Sequence, residues 1–316
     1  MIRQNEIRLM VKIANLYYSE GRKQAEIAAA LNLSQSFVSR MLNRSVREGI
    51  VKISVVQPDN VFPQLERGIE QRYGIQQAIV VDVADGEDGA QIRKAIGAAA
   101  AHYLETRLRE GELVGISSWS STIRAMVSEM HPLSVKVDGV IQLLGGVGVN
   151  GNVQATILTQ DLANRLNCRA WLLPAQSIEG SIVSRDLLAA SKDVSEVLSR
   201  FNHVTTAVVG IGDMEPSQLL RHSGNFYDKA MLSALAEKGA VGDICLHYYN
   251  AAGEPVLSSD EDPAIGMRLE QVKACPHAIA LAGRREKVAA IRAALTGRYL
   301  NVLITDFDTA RALMDE

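Results

Sequence analysis

The chain lacks the features that would place it outside the cell or in a membrane. Its three cysteines, Cys168, Cys245 and Cys275, are odd in number, widely spaced and without a second cysteine nearby. That excludes a disulfide framework and a zinc site, so no metal is expected and all three read as small buried hydrophobes. No uninterrupted apolar stretch reaches the length of a membrane span, and the opening MIRQNEIRLM lacks the apolar core of a signal peptide. A cytoplasmic protein with no membrane partner is therefore expected. Repeats and low-complexity tracts are missing. Positive charge is not in excess either: 33 Lys+Arg face 36 Asp+Glu, a net of -3, which by itself argues against general affinity for polyanions. What remains is an ordinary soluble composition, 47% hydrophobic over 316 residues, enough for two domains and a substantial core.

The average charge hides a division. Residues 1–56 hold nine basic side chains (Arg3, Arg8, Lys12, Arg22, Lys23, Arg40, Arg44, Arg47, Lys52) against four acidic ones (Glu6, Glu20, Glu26, Glu48), a net of +5, which leaves -8 for the rest. A basic head on an acidic body is expected when only the head meets phosphate. Within that head, residues 22–49 read as two short helices around a tight turn. Ile27 and Leu31 share a face of the first, and the small Ala28 and Ala29 would let a partner helix approach. Asn32 tolerates a left-handed backbone, Leu33 tucks under the corner, and Ser34 caps a second helix starting at about Gln35. On that helix Val38, Met41, Leu42 and Ser45 form a packing face, while Ser36, Arg40, Asn43 and Arg47 form a polar one.

This is the pattern of a DNA-binding helix-turn-helix. A recognition helix brings its N-terminal side chains to base edges, which nominates Gln35, Ser36, Ser39 and Arg40; Lys23, Gln24, Arg44 and Arg47 suit phosphates. The bland alternative is a helical hairpin with a solvated face, and the concentration of positive charge favours the first reading. Ile7, Leu9, Met10, Ile13, Leu16 and Tyr17 recur at helical spacing and would brace the pair. Gly49 should end the second helix, and the β-branched run at 50–56 suits a wing strand with Lys52 near the DNA backbone.

Pro58, Asp59, Asn60 and Pro63 punctuate the chain, which predicts a DNA-binding domain at 1–57 and a second domain at 58–316. After a helix at 64–74 closed by Gly74, short apolar runs alternate with helical patterns. The runs fall at 78–83, 113–117, 139–144, 168–173, 206–212, 242–249, 277–282 and 300–306. Strands of this kind are buried on both faces of a mostly parallel sheet, so an α/β, doubly wound fold is expected. Asn250 to Pro255, around Gly253, suits a hairpin or edge excursion. Ligands of such sheets bind beyond the carboxyl ends of the strands. Three loops there carry suitable chemistry: SSWSST (117–122), GGVGVNGN (145–152) with Gln154 following, and GRREK (283–287) with Arg284, Arg285 and Lys287.

Over nearly its full length the chain resembles the SorC-type, sugar-responsive transcription regulators. The resemblance rests on QAEIAAALNLSQSFVSRML, VGIS with its Ser/Thr loop, QLLGGVG, VVGIGD, GAVGDI, EKVAAIRAAL and NVLITDFDTARAL, in family order. It implies an effector domain like the sugar-phosphate isomerase and deaminase folds, a homo-oligomer, as a tetramer, and binding to operator DNA near a carbohydrate operon. Carried over by position, the effector site falls on Ser117, Ser118, Trp119, Ser120, Ser121, Thr122, Gly145, Gly146, Gln154, Asp213, Asp243 and Lys287. Asp243 can accept from sugar hydroxyls, Gln154 can donate and accept, and Lys287 can act as a compact cation. Two departures stand out. Trp119-Ser120-Ser121 replaces a loop that carries glycine in relatives, and Leu144 is apolar where phosphate-binding relatives can carry Arg. Both point away from a sugar phosphate and towards an unphosphorylated sugar or polyol, erythritol for example, with Trp119 against its carbon face.

The function expected is regulation, as a repressor, of a carbohydrate or polyol operon, with effector binding changing how dimers pair. No cofactor and no catalytic residue are expected. The rival is a sugar-phosphate isomerase- or deaminase-like enzyme with a fused DNA-binding domain. Asp213 and Asp243 could then act as acid and base, but His203, His222, His247 and His277 are scattered and fit no catalytic motif.

Overall fold

The computed structural model describes residues 4–52, 60–84, 86, 88–147 and 152–315, which divide into two compact units, Met1–Asp59 and Asn60–Glu316.

In the first unit α1 (Gln4–Ala14) runs into a π-helical turn at Asn15–Ser19, followed by α2 (Gln24–Leu31) and α3 (Gln35–Arg47). Met10, Ile13, Ile27, Ala28, Val38, Met41 and Leu42 form its core. Ala28 is buried and Ala29 exposed, so only the first of the two small residues meets a neighbouring helix. Ile7 also lies outside the core, at 38% exposure. The bracing face is instead carried by Met10 and Ile13 and continued within the π-turn by Leu16 and Tyr17. Between α2 and α3 the turn is as the sequence requires: Asn32 is left-handed at φ 54, and Ser34 Oγ accepts the Phe37 N–H at 3.2 Å. Gly49, at φ 73, follows the end of α3. Residues 50–52 form no strand, and 53–56 of the expected wing lie outside the described residues.

The second unit opens with α4 (Pro63–Tyr73), β1 (Gln77–Val81), α5 (Gly89–Arg107), β2 (Leu113–Ile116), α6 (Ser121–Glu129), β3 (Gly139–Gln142), α7 (Asn152–Arg165) and β4 (Ala170–Trp171). It continues through α8 (Ile182–Ala189), α9 (Lys192–Arg200), β5 (Thr206–Gly210), α10 (Gln218–Ser223), α11 (Lys229–Glu237), β6 (Ala240–Ile244) and β7 (His247–Asn250). The last elements are α12 (Leu269–Ala274), β8 (His277–Leu281), α13 (Val288–Thr296), β9 (Val302–Asp306) and α14 (Phe307–Met314). Seven strands form one parallel sheet in the order β1-β9-β8-β5-β2-β3-β4, with an apolar core on each face. Every residue of β2, β3 and β9 is buried, which is why these strands read as apolar runs up to the polar Gln142 of β3 and Thr305-Asp306 of β9 at their carboxyl ends.

Two strand expectations are corrected. The run 242–249 is not one strand but the antiparallel hairpin β6–β7, turning through Cys245 (φ 53) and Leu246 (φ 64). Paired left-handed residues normally call for Asn or Gly. Here Asp243 Oδ2 accepts the Leu246 N–H at 2.9 Å and both turn side chains are buried, which offsets the backbone cost. The run 168–173 pairs only over Ala170–Trp171, at the sheet edge. The excursion expected at Asn250–Pro255 is present, with Asn250 N–H donating to Glu254 O at 2.9 Å and Gly253 at φ 77. At the opposite edge, α4 shields β1: Glu66 and Glu70 accept the Val80 and Ala78 N–H groups, each at 3.0 Å.

Candidate functional site

On α3, Gln35, Ser36, Arg40, Asn43 and Arg47 are exposed and Ser39 is half-buried, opposite the packed Val38, Met41, Leu42 and Ser45. Arg40 extends over the Phe37 ring, 5.9 Å from its centroid. Lys23 is exposed and Gln24 half-buried at the start of α2. Arg44 differs from the rest. Its Nε lies 2.6 Å from Glu48, and Glu6 on α1 is 4.0 Å away, so its guanidinium is engaged within the head. The surface formed by the other side chains is polar, basic at Lys23, Arg40 and Arg47, and of the width of one helix face.

In the second unit the strand order supplies the site. The chain leaves β2 towards β3 on one side, while β5 returns on the other side of β2 and leads on to β8, so the topological switch lies between β2 and β5. Their carboxyl ends pass into Ser117–Ser120 and Ile211–Asp213, and an antiparallel bridge from Gly212 to Asp243 attaches the β6–β7 hairpin there. A cleft of about 1090 Å³ results. Ser117, Trp119, Ser120, Ser121, Thr122, Asp213, Asp243 and Lys287 all line it. Ser120 caps α6, its Oγ accepting the Ile123 N–H at 3.2 Å.

The remaining carried-over positions are placed elsewhere. Ser118 is fully buried, with its Oγ 3.3 Å from Thr159 Oγ1. Gly145 and Gly146 lie behind the lining, against Trp119. Gly145 N–H donates to Ile265 O, Gly146 N–H donates to Ala175 O, and Gly145 O accepts the Trp119 indole N–H at 3.0 Å. A Cβ on Gly145 would lie 2.3 Å from Gln176 O, so this glycine serves close packing of two backbone segments and not approach of a ligand. Gln154 is exposed and reaches the cleft only through Arg124, whose guanidinium donates to its Oε1 at 2.8 Å. Trp119 itself is 6% exposed, an edge of the wall and not a free platform.

Asp243 and Lys287 dominate the cleft's electrostatics. Burial raises the Asp243 carboxyl from its ordinary 3.8 to about 6, against the opposing effects of the Leu246 hydrogen bond and Lys287. Burial likewise lowers the Lys287 ammonium, with Asp213 and Asp243 holding it up. Lys287 Nζ donates to Ile211 O at 2.7 Å, which leaves two of its three donors for a ligand. Asp213 Oδ1 accepts the Glu215 N–H at 2.9 Å. A Cβ on Gly212 would lie 1.9 Å from Asp243 Oδ1, so only glycine lets this carboxylate sit against the backbone. Cys245, also at the cleft, has its thiol pushed up to about 12 by burial and is no nucleophile.

Several lining groups escaped the sequence reading: Arg93 on α5, Arg124 on α6 and Tyr248 on the hairpin. An arginine on a helix reads as a solvated face until the strand order brings its helix to the cleft. Of the two arginines named in the GRREK loop, Arg284 lines the cleft. Its backbone is at φ 87, ψ 141, held by an N–H donated to Asp306 Oδ2 at 2.9 Å. His222 on α10 lines the rim, whereas His247 faces away and pairs with Asp262 at 2.6 Å. Among the described residues no cluster could hold a metal ion.

Comparison with known proteins places this architecture. Residues 61–315 match the sugar-binding domain family model. The deoxyribonucleoside regulator of Bacillus subtilis (strain 168) is 31% identical over 98% of this chain and 97% of its own length. The sorbitol operon regulator of Klebsiella pneumoniae is 28% identical over 99% and 100%. The crystal structure of that full-length Klebsiella regulator, SorC, covers 99% of this chain and 100% of its own, with a TM-score of 0.72 at 26% identity. A sugar-binding domain of transcriptional regulator DeoR from Pseudomonas syringae pv. tomato is 47% identical, with a TM-score of 0.64, over 79% and 97%.

Proposed function

Because the chain belongs to the SorC/DeoR-type regulators with a sugar-binding domain, we propose that α3 reads operator DNA and that the cleft between β2 and β5 binds the controlling effector. The chain is a transcription regulator and not an enzyme, as its relatives are. The observation that carries the effector reading is convergence: loops after β2, β5 and β8 and the β6–β7 hairpin direct hydroxyls, Asp213, Asp243 and Lys287 into one cleft. Carboxylates and an ammonium facing each other suit a ligand that both donates and accepts, as a polyol or sugar does. Arg93, Arg124 and Arg284 share the lining, but the position of Leu144 supplies no cation, and on that position rests the choice of an unphosphorylated ligand, a short polyol such as erythritol.

Gln35, Ser36, Ser39 and Arg40 read base edges, while Lys23, Gln24 and Arg47 hold phosphates. Arg44, committed to Glu48 and Glu6, contributes by bracing α1 on α3. The domains act as a head, 1–57, and an effector body, 58–316. The working form is a cytoplasmic tetramer that represses a carbohydrate or polyol operon until effector shifts it to an assembly that no longer matches the operator half-sites. A preference of ~1–3 kcal/mol for that assembly weakens operator binding roughly 5- to 150-fold.

Electrophoretic mobility shift on the operator, titrated with polyols, sugars and their phosphates, tests both halves. Release by an unphosphorylated polyol or sugar is expected, with Arg40→Ala losing specific binding. A panel with no active member overturns the effector reading, and activity confined to phosphates overturns the choice of ligand.

A further inference from the structure

Among the described residues, the most exposed large apolar side chains are Val183 and Leu187, at 69% and 72%. They stand one helical turn apart on α8, a helix with no buried residue. Its outer stripe, Gly180, Val183, Ser184, Leu187 and Ala190, is exposed throughout and carries no charge. The inner side is firmly attached: the Arg185 guanidinium, only 13% exposed, donates to Asp262 O at 2.6 Å and also to Ser259 O. An apolar stripe on a well-anchored helix marks a contact surface.

We infer that α8 is a pairing surface for a second copy of this chain, the two α8 helices lying antiparallel across a two-fold axis. The pattern is self-complementary in that orientation. Val183 of one copy meets Leu187 of the other and the reverse, with Gly180, Ser184 and Ala190 small enough for close approach. Charge agrees with the same register. Glu179 lies just before α8 and Lys192 just beyond it, and neither forms an ion pair with any described residue. Antiparallel pairing sets each Glu179 beside Lys192 of the other copy, twice over.

The surface is also joined to the cleft. Ser177, four residues before Ser181, donates its hydroxyl to Gly145 O, the same carbonyl that accepts the Trp119 indole. Ser177 N–H donates to Asn225 Oδ1 and Ser177 O accepts the Ile265 N–H, each at 2.9 Å. The segment leading into α8 therefore hangs on the same carbonyl as Trp119 at the edge of the cleft, so a ligand in the cleft that shifts Trp119 acts on the α8 pairing. This rests on the homo-oligomer reading given above and names its surface.

Sedimentation equilibrium of the full chain separates the two. Wild type is expected to associate, and V183E/L187E to weaken that association by more than about a hundredfold, since charge replaces four apolar side chains at the two-fold. Both positions are exposed, so the variant keeps the wild-type circular dichroism and Tm at concentrations where wild type is dissociated. E179K and K192E each weaken association, and E179K/K192E restores it. A V183E/L187E variant that assembles like wild type overturns the α8 surface and leaves the oligomer standing; a monomeric wild type overturns both. Failure of the double swap to restore association overturns the antiparallel register.

Discussion

Burial of Asp243 leaves a carboxyl whose folded value, about 6, lies above its ordinary 3.8. The unfolded chain gives up this proton first, so the charged form is penalised in the fold. The penalty enters as pH rises from about 4 to 6 and is complete above that, on the order of 1–3 kcal/mol. Asp243→Asn removes the penalty while keeping an oxygen to accept the Leu246 N–H. Urea unfolding is therefore expected to show the variant more stable than wild type at pH 7, with the gap closing near pH 4. The same substitution removes a ligand acceptor and weakens the counterion of Lys287, so ligand-induced thermal stabilisation should shrink. A gap that persists at pH 4 would assign the effect to packing and not to charge. Stability given up at one position is what a site built to bind a polar ligand requires.

The elements differ in how openly they show their role. Strands β2, β3 and β9 are written in the sequence because burial on both faces forces a short apolar run in each, broken only at the carboxyl ends of β3 and β9. The α2–α3 turn is equally legible, since Asn32 and Ser34 satisfy local backbone needs that any reader of the sequence can name. The β6–β7 hairpin was not legible: Cys245 and Leu246 occupy left-handed positions with no glycine or asparagine to signal them, and only the tertiary acceptor Asp243 makes the turn. The edge of β1 is a further case. Glu66 and Glu70, spaced by one turn of α4, look like a solvated face, yet they satisfy the strand's outward N–H groups. Replacing both by Ala leaves two partly buried donors without acceptors, an expected loss of ~1–3 kcal/mol each in urea unfolding, and exposes an edge prone to aggregation. Replacement by Gln retains an acceptor and should recover most of it. Equal stability of the Ala and Gln variants would show that the carboxylates contribute no more than solvent does.

At the scale of the whole molecule, charge is divided, with +5 in residues 1–56 and -8 in the rest. On the proposed reading operator affinity is carried by the head through phosphate contacts, each releasing counterions. Six to ten contacts would cost about 10³ to 10⁵ in affinity between 50 and 200 mM salt. Lys23→Ala is expected to lower the slope of log affinity against log salt by about 1, uniformly across sequences, whereas Arg40→Ala changes sequence preference. An unchanged slope in the Lys23 variant would remove that residue from the phosphate set.

The sequence by itself determined the class of fold, the position of the helix-turn-helix, the two-part charge pattern and the loops that carry polar chemistry, because each of these rests on local spacing or on composition. It also named eight residues that line the cleft. The tertiary structure alone decided that Ser118, Gly145 and Gly146 lie behind the lining, and that Arg93, Arg124 and Tyr248 join the cleft. It also placed Arg44 against Glu48. The physical reason is the strand order. Inserting β5 beside β2 brings together residues more than ninety positions apart, and no local pattern of side chains records which strand will be the neighbour.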